Sequence, residues 1–105
     1  MMANMMKMLK QAQGLQAQMQ KVQAELAERE ISFSSGGGMV SVTATCDGSV
    51  RAVKIDRKAV DPDDVEMLED LVLSAVQGAV NLGKQTMAEE MSKLTQGLNI
   101  PGMPF

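Results

Sequence analysis

Starting at Met5, the residues Met5, Met8, Ala12, Leu15, Met19, Val22 and Leu26 recur at alternating steps of three and four, the a/d pattern of a helix that packs along one edge. The consequence is a helix over residues 1–30; the run from Asn4 to Glu30 would be about 40 Å long at a rise of 1.5 Å per residue. A chain of 105 residues is one domain with a modest core. It is too small to cover such a rod along its whole length, so part of the helix should project or pair with another chain. In the same frame Lys7 and Lys21 take c positions and Lys10 an f position, all turned away from the seam. Gly14 also falls at an outward c position, where it costs roughly 1 kcal/mol relative to alanine but leaves the seam intact.

The formal net charge of −3 weighs against a general binder of nucleic acid, yet the charge is unevenly spread. Residues 1–24 hold three lysines and no acid, whereas the other 7 basic and 13 acidic residues leave the remainder of the chain at −6. The opening helix therefore has three readings: a core element, a zipper seam, or a surface that meets an anionic partner. Met5, Met8 and Met19 lie on the seam and read as adaptable packing, which leaves Met1, Met2 and Met6 unexplained. The lysines fit a solvated face as well as a phosphate contact. Pairing of two chains changes the balance, because it doubles the lysines on projecting helices, with Gln13, Gln16, Gln20 and Gln23 as neutral donors to phosphate oxygens.

Beyond the helix the period changes to two. Ile31–Ser35 alternates apolar and polar residues, Gly36-Gly37-Gly38 follows, and Met39–Cys46 and Ser49–Asp56 complete three strands over residues 31–56. Asp47-Gly48 predicts a two-residue hairpin turn. That turn would place Cys46 opposite Ser49, Ala44 opposite Arg51, Val42 opposite Val53 and Val40 opposite Ile55, giving a meander with one apolar face. Asp61-Pro62-Asp63-Asp64 opens a second helical region over residues 61–96, with Asp61 suited to the N-cap and Pro62 to the first helical position. Polar residues there recur at Asp70, Ser74, Gln77, Asn81 and Lys84, so the rest of the circumference is apolar enough to meet both a sheet and a partner. Gly83 is a plausible break or bend, Gly97 a plausible helix end, and residues 97–105, with two prolines, read as an extended tail.

Catalysis finds little support. The chain has no His, Tyr or Trp, hence no imidazole base or phenolic acid, and the lone Cys46 reads as a small buried hydrophobe. Asp61, Asp63, Asp64 and Glu66 lack the spacing of a calcium loop and are explained by helix capping. The glycine triplet leads into a strand rather than a helix, which argues against a phosphate loop. One cysteine, no unbroken apolar leader and no run of membrane-spanning length predict a cytoplasmic protein with no membrane association. No cofactor, metal or small-molecule substrate is expected.

The glutamine- and methionine-rich opening MMKMLKQAQGLQAQMQKVQAEL, the glycine-led hairpin GGGMVSVTATCDGSVRAVKID, the helix DVEMLEDLVLSAVQGAV and the ending MSKLTQGLNIPGMPF together resemble the YbaB/EbfC nucleoid-associated proteins over nearly the whole chain. The resemblance implies an α+β fold of α-β-β-β-α order, with a three-stranded antiparallel meander on a long C-terminal helix and a projecting N-terminal helix. It also implies a bacterial cytoplasmic homodimer at the nucleoid that grips duplex DNA and carries no catalytic activity. By position, the DNA contacts would be Lys7, Lys10 and Lys21, joined by Lys84 and Lys93 from the last helix. The dimer contact would use the strands and the apolar helix: Val40, Val42, Val53, Ile55, Leu68, Val72 and Val76. One departure stands out, Ser41 and Thr43 occupying positions where relatives commonly carry lysine. The alternative is a protein-interaction or scaffold module that uses the methionine-rich helix without DNA.

Overall fold

The computed structural model describes residues 2–96, so the expected tail and the helix end at Gly97 lie outside the described residues. Helix α1 spans Met2–Glu28, strands β1, β2 and β3 span Glu30–Ser35, Val40–Thr45 and Val50–Ile55, and helix α2 spans Val65–Gln96. The strands form one antiparallel sheet in the order β1-β2-β3, the meander that the period-two pattern predicts.

Packing follows from which side chains are small. Val40, Val42 and Ala44 of β2 are fully buried against Ala75 and Ala79 of α2, with Ile31, Leu68, Leu71, Val72 and Val76 around them. The alanines let the α2 backbone sit close to the sheet, and Ser35 Oγ donates to the Leu71 carbonyl at 2.6 Å to tie the end of β1 to the helix. A side chain on Gly78 would run into the Phe33 ring, and one on Gly36 into Leu71. Gly78 and Leu71 therefore mark the flank of α2 that faces β1. At 3.6 residues per turn the opposite flank carries Val72, Leu73 and Val76 and looks over β3.

Four expectations need correction in detail. Helix α2 runs without interruption through Gly83. The glycine is there for closeness: a Cβ would lie 2.8 Å from the Thr45 carbonyl oxygen and 3.3 Å from Cys46 Cα, both backbone atoms that cannot swing aside. In an exposed helix Gly→Ala gains roughly 1 kcal/mol, but here overpacking costs about 1–3 kcal/mol. Gly83→Ala is therefore expected to lower stability in urea denaturation, and a rise in the midpoint would show that the helix is not pressed onto the hairpin.

The hairpin turn is the second correction. Gly48 N–H donates to the Thr45 carbonyl at 3.1 Å and Thr45 N–H to the Ser49 carbonyl at 2.8 Å, so the loop holds three residues, Cys46 to Gly48, with Gly48 at φ +93°. This is the turn-plus-bulge alternative to a two-residue loop. Its side-chain support explains the choice: the Asp47 carboxylate accepts from the Thr45 hydroxyl and from Ser49 N–H at 3.1 Å. Those bonds, the Thr45 one foremost, hold the Asp47 carboxyl below its ordinary pKa.

Third, the register agrees with expectation for Val40–Ile55, Ser41–Lys54, Val42–Val53 and Thr43–Ala52, but Ala44 pairs with Val50. Arg51 is the extra residue of a bulge. Fourth, the helix cap is Asp64, whose carboxylate accepts from Met67 N–H at 3.2 Å. Asp61 instead closes the preceding turn, accepting from Asp63 N–H through its side chain and from Asp64 N–H through its carbonyl. Proline at 62 fits that turn, which delays the helix until Val65.

Candidate nucleic-acid interface

Only the C-terminal half of α1 is covered. Leu26 is buried and Leu15, Met19 and Val22 are half-buried; α1 packs against α2, in which Met87, Met91 and Leu94 are half-buried as well. Cys46 N–H donates to the Leu26 carbonyl at 3.1 Å, and Arg29 stands 3.9 Å from Glu90, so the end of α1 is fastened to the hairpin and to α2. Toward the N-terminus the seam runs on exposed, with nothing against it among the described residues: Met5 is 66% exposed, Met6 64%, Met8 68% and Leu9 57%. The helix projects, as its length predicts.

Lys7, Lys10 and Lys21 are all exposed on this arm, and at about 100° per residue they fall within an arc of roughly 60°. Lys7 and Lys21 are about 21 Å apart along the axis. Among the described residues none of the three is ion-paired: the two salt bridges are Arg29–Glu90 and Lys93–Glu90. The arc changes sign in the last turn, where Glu25 and Glu28 occupy the same face, so the basic stripe runs from the free part of the arm into its covered half and ends before the hairpin. Dense positive charge on a solvated rod, with no acid between, attracts a polyanion rather than a single small anion.

The other expected contacts are not gathered with these. Lys84 passes over the hairpin glycine Gly48, whereas Lys93 is held by Glu90 at 3.3 Å. Nine residues apart, they lie on roughly opposite sides of α2. Gln13, Gln16 and Gln20 share a face with Ala17 that adjoins the lysine arc on its Lys10 side, with Gln16 the farthest round the helix. Gln11 and Gln18, not singled out from the sequence, lie nearer to the basic arc; the helical period alone would have found them.

The expected pairing residues divide in two. Val40 and Val42 are fully buried within the single chain, under α2. Val53 and Ile55 sit on the same face of the sheet but beyond the edge of α2, 45% and 43% exposed. Leu68, Val72 and Val76 line an open apolar groove with Glu69 and Leu73, and Leu73 is the member that the sequence pattern did not single out. An apolar corner is thus open between the β3 side of α2 and the bare strand. Cys46 is buried and free. Among the described residues no three potential ligands stand together to hold a metal ion, and no helix is long and apolar enough to cross a membrane.

The similarities of the chain follow the same lines. A protein of Clostridium novyi named nucleoid-associated protein is 50% identical over 100 residues, covering 95% of this chain and 88% of that one. A nucleoid-associated protein of Akkermansia muciniphila is 45% identical over 103 residues, with 97% and 99% covered. One of Streptomyces griseus is 45% identical over 106 residues, with 97% and 93% covered. The crystal structure of an uncharacterized Helicobacter pylori protein shares the fold at a TM-score of 0.62 and 22% identity, over 87% of this chain and 91% of that one. The projecting basic helix, the meander and the long second helix are all contained in residues 1–98, which match one family description, and on that match the chain belongs to the YbaB/EbfC DNA-binding family.

Proposed function

We propose that this protein is a nucleoid-associated homodimer that binds duplex DNA through its α1 arms, in the bacterial cytoplasm, with roles in chromosome organisation and gene regulation. The observation that carries this reading is the unpaired lysine arc of Lys7, Lys10 and Lys21 on a helix that stands clear of an otherwise acidic body. Family membership and the names of the relatives support DNA as the polyanion. Pairing rests on the open apolar corner of Val53, Ile55, Leu68, Val72, Leu73 and Val76, which a second copy would cover. Lys84 and Lys93 add charge from α2, Lys93 less so because Glu90 shares it.

Sequence preference should be weak. Lysine acts as a point charge toward phosphate, while the bidentate reading of base edges falls mainly to arginine and amides. Binding of duplexes of unrelated sequence should therefore agree closely at one salt concentration, and affinity should fall linearly on a log–log scale as salt rises, with a slope of about −0.9 per neutralised phosphate. The exposed methionines of α1 favour a second reading, a module that docks on another protein's helix. A flat salt dependence with no measurable duplex binding would select that reading and dismiss the first.

A further inference from the structure

The body below the arm is acidic in sum but not throughout. Residues 49–58 hold Arg51, Lys54, Arg57 and Lys58 against the single acid Asp56, a charge of +3 that equals that of residues 1–24. All six residues of β3 are exposed, as are Arg57 and Lys58 in the turn that follows. None of the four cations is in a salt bridge among the described residues. The aspartates around them are engaged with backbone amides: Asp56 accepts from Lys58 N–H at 2.9 Å, Asp47 and Asp61 close turns and Asp64 caps α2.

Alternation along β3 keeps this charge apart from the apolar corner. Val53 and Ile55 face the α2 side, so Lys54 faces the other, beside its register partner Ser41 and the hydroxyls of Thr43 and Ser32, which lie 3.2 Å apart. A second copy seated on Val53 and Ile55 would leave that outer face open. Hydroxyls donate to phosphate oxygens, and arginine can hold a phosphate through two parallel bonds. The cations are spread along about 13 Å of strand from Arg51 to Ile55 and over the turn beyond, which suits the repeated charges of a polymer better than one small anion. The arm is a separate surface. Leu26 is bonded to Cys46 at the hairpin end of the sheet, level with Gly83, whereas the other end is tied to Leu71, about 18 Å back along α2. The arm leaves from the first end, and Lys54, Arg57 and Lys58 lie toward the second. Between them stand Glu25, Glu28 and Glu30, all exposed, and one duplex laid along both surfaces would have to cross these carboxylates.

We infer that β3 and its following turn take the phosphate backbone of a second duplex, so that one molecule bridges two DNA segments. The inference rests on the proposed function, which places the first duplex on the arms. The full-length protein is loaded on an immobilised short duplex, and its retention of a second, labelled duplex is measured. Lys54→Gln/Arg57→Gln/Lys58→Gln leaves the bulge residue Arg51 and the arm lysines in place. With unchanged circular dichroism, this variant should bind one short duplex at wild-type affinity and retain the second severalfold less well; Lys54→Gln alone should show a smaller loss of the same kind. Undiminished retention would overturn the inference and leave these cations to an acidic protein or to solvent. An equal loss of short-duplex affinity would also overturn it, by placing both surfaces on one duplex. Wild-type protein that holds the first duplex but captures no second refutes the bridge alone, whereas failure to hold even the first refutes the proposed function and the bridge with it.

Discussion

Replacing Lys7, Lys10 and Lys21 together by alanine is expected to weaken duplex binding by on the order of a hundredfold at moderate salt, and to flatten the salt dependence. The demand on each side chain is small: a hundredfold is about 2.7 kcal/mol, shared by the three lysines of both chains in a dimer. The log–log slope should shrink by about 0.9 for every phosphate that is no longer neutralised, so by roughly 5 if all six lysines engage. Alanine is the best helix former, which keeps the arm intact and confines the change to charge; circular dichroism of the variant should match the wild type. Removing Gln16 is the fitting control, because it lies about 120° or more around the helix from all three lysines and only a minor effect is expected. A salt slope that does not move in the lysine variant would remove the arm from the DNA contact.

The second large effect is expected from Val53→Asp combined with Leu73→Asp. Both side chains are about half exposed in the single chain, so the carboxylates remain solvated in a folded protomer. In a dimer closed over this corner they would be buried without partners, at a cost of several kcal/mol. The mass in light scattering should halve while the helical content is retained. Duplex affinity should then fall by about 10²- to 10⁴-fold, because two linked arms bind with an effective concentration that separate arms lack. Retention of the paired mass would place the interface elsewhere.

Much of the fold was legible because periodicity and burial agree. The seam from Met5 to Leu26 marks both the length of α1 and its projecting half, and Val40, Val42 and Ala44 alternate as a buried strand must. What was not legible depends on contacts between elements. Gly83 looks like a helix break when the helix is considered alone; its reason, the backbone of Thr45 and Cys46, lies 37 or more residues earlier in the chain. The Asp47-Gly48 pair identifies a turn but not its length, which the Thr45 hydroxyl and Ser49 amide decide. Asp61 and Asp64 are equally good capping residues by type, and only the turn around Pro62 selects between them.

The candidate site divides along the same line. Lys7, Lys10 and Lys21 share a face for reasons internal to one helix, so spacing alone groups them. Lys84 and Lys93 were joined to that group through the family resemblance, and the α2 geometry sets them on opposite sides, one over a turn and one beside Glu90. Val53 and Ile55 have the same alternation as Val42 and Val40; whether each is covered depends on where α2 crosses the sheet, and α2 stops short of β3.

If a second copy covers the third strand as proposed, folding is tied to abundance. In the proposed dimer, a sheet roofed over two of its three strands would complete its apolar burial only on meeting another chain, and the stability of such a dimer would rise with its own concentration. Dilution would then thin out competent arms faster than it thins out polypeptide, so the dose of the protein in a cell would set chromosomal coverage with a steeper than proportional response.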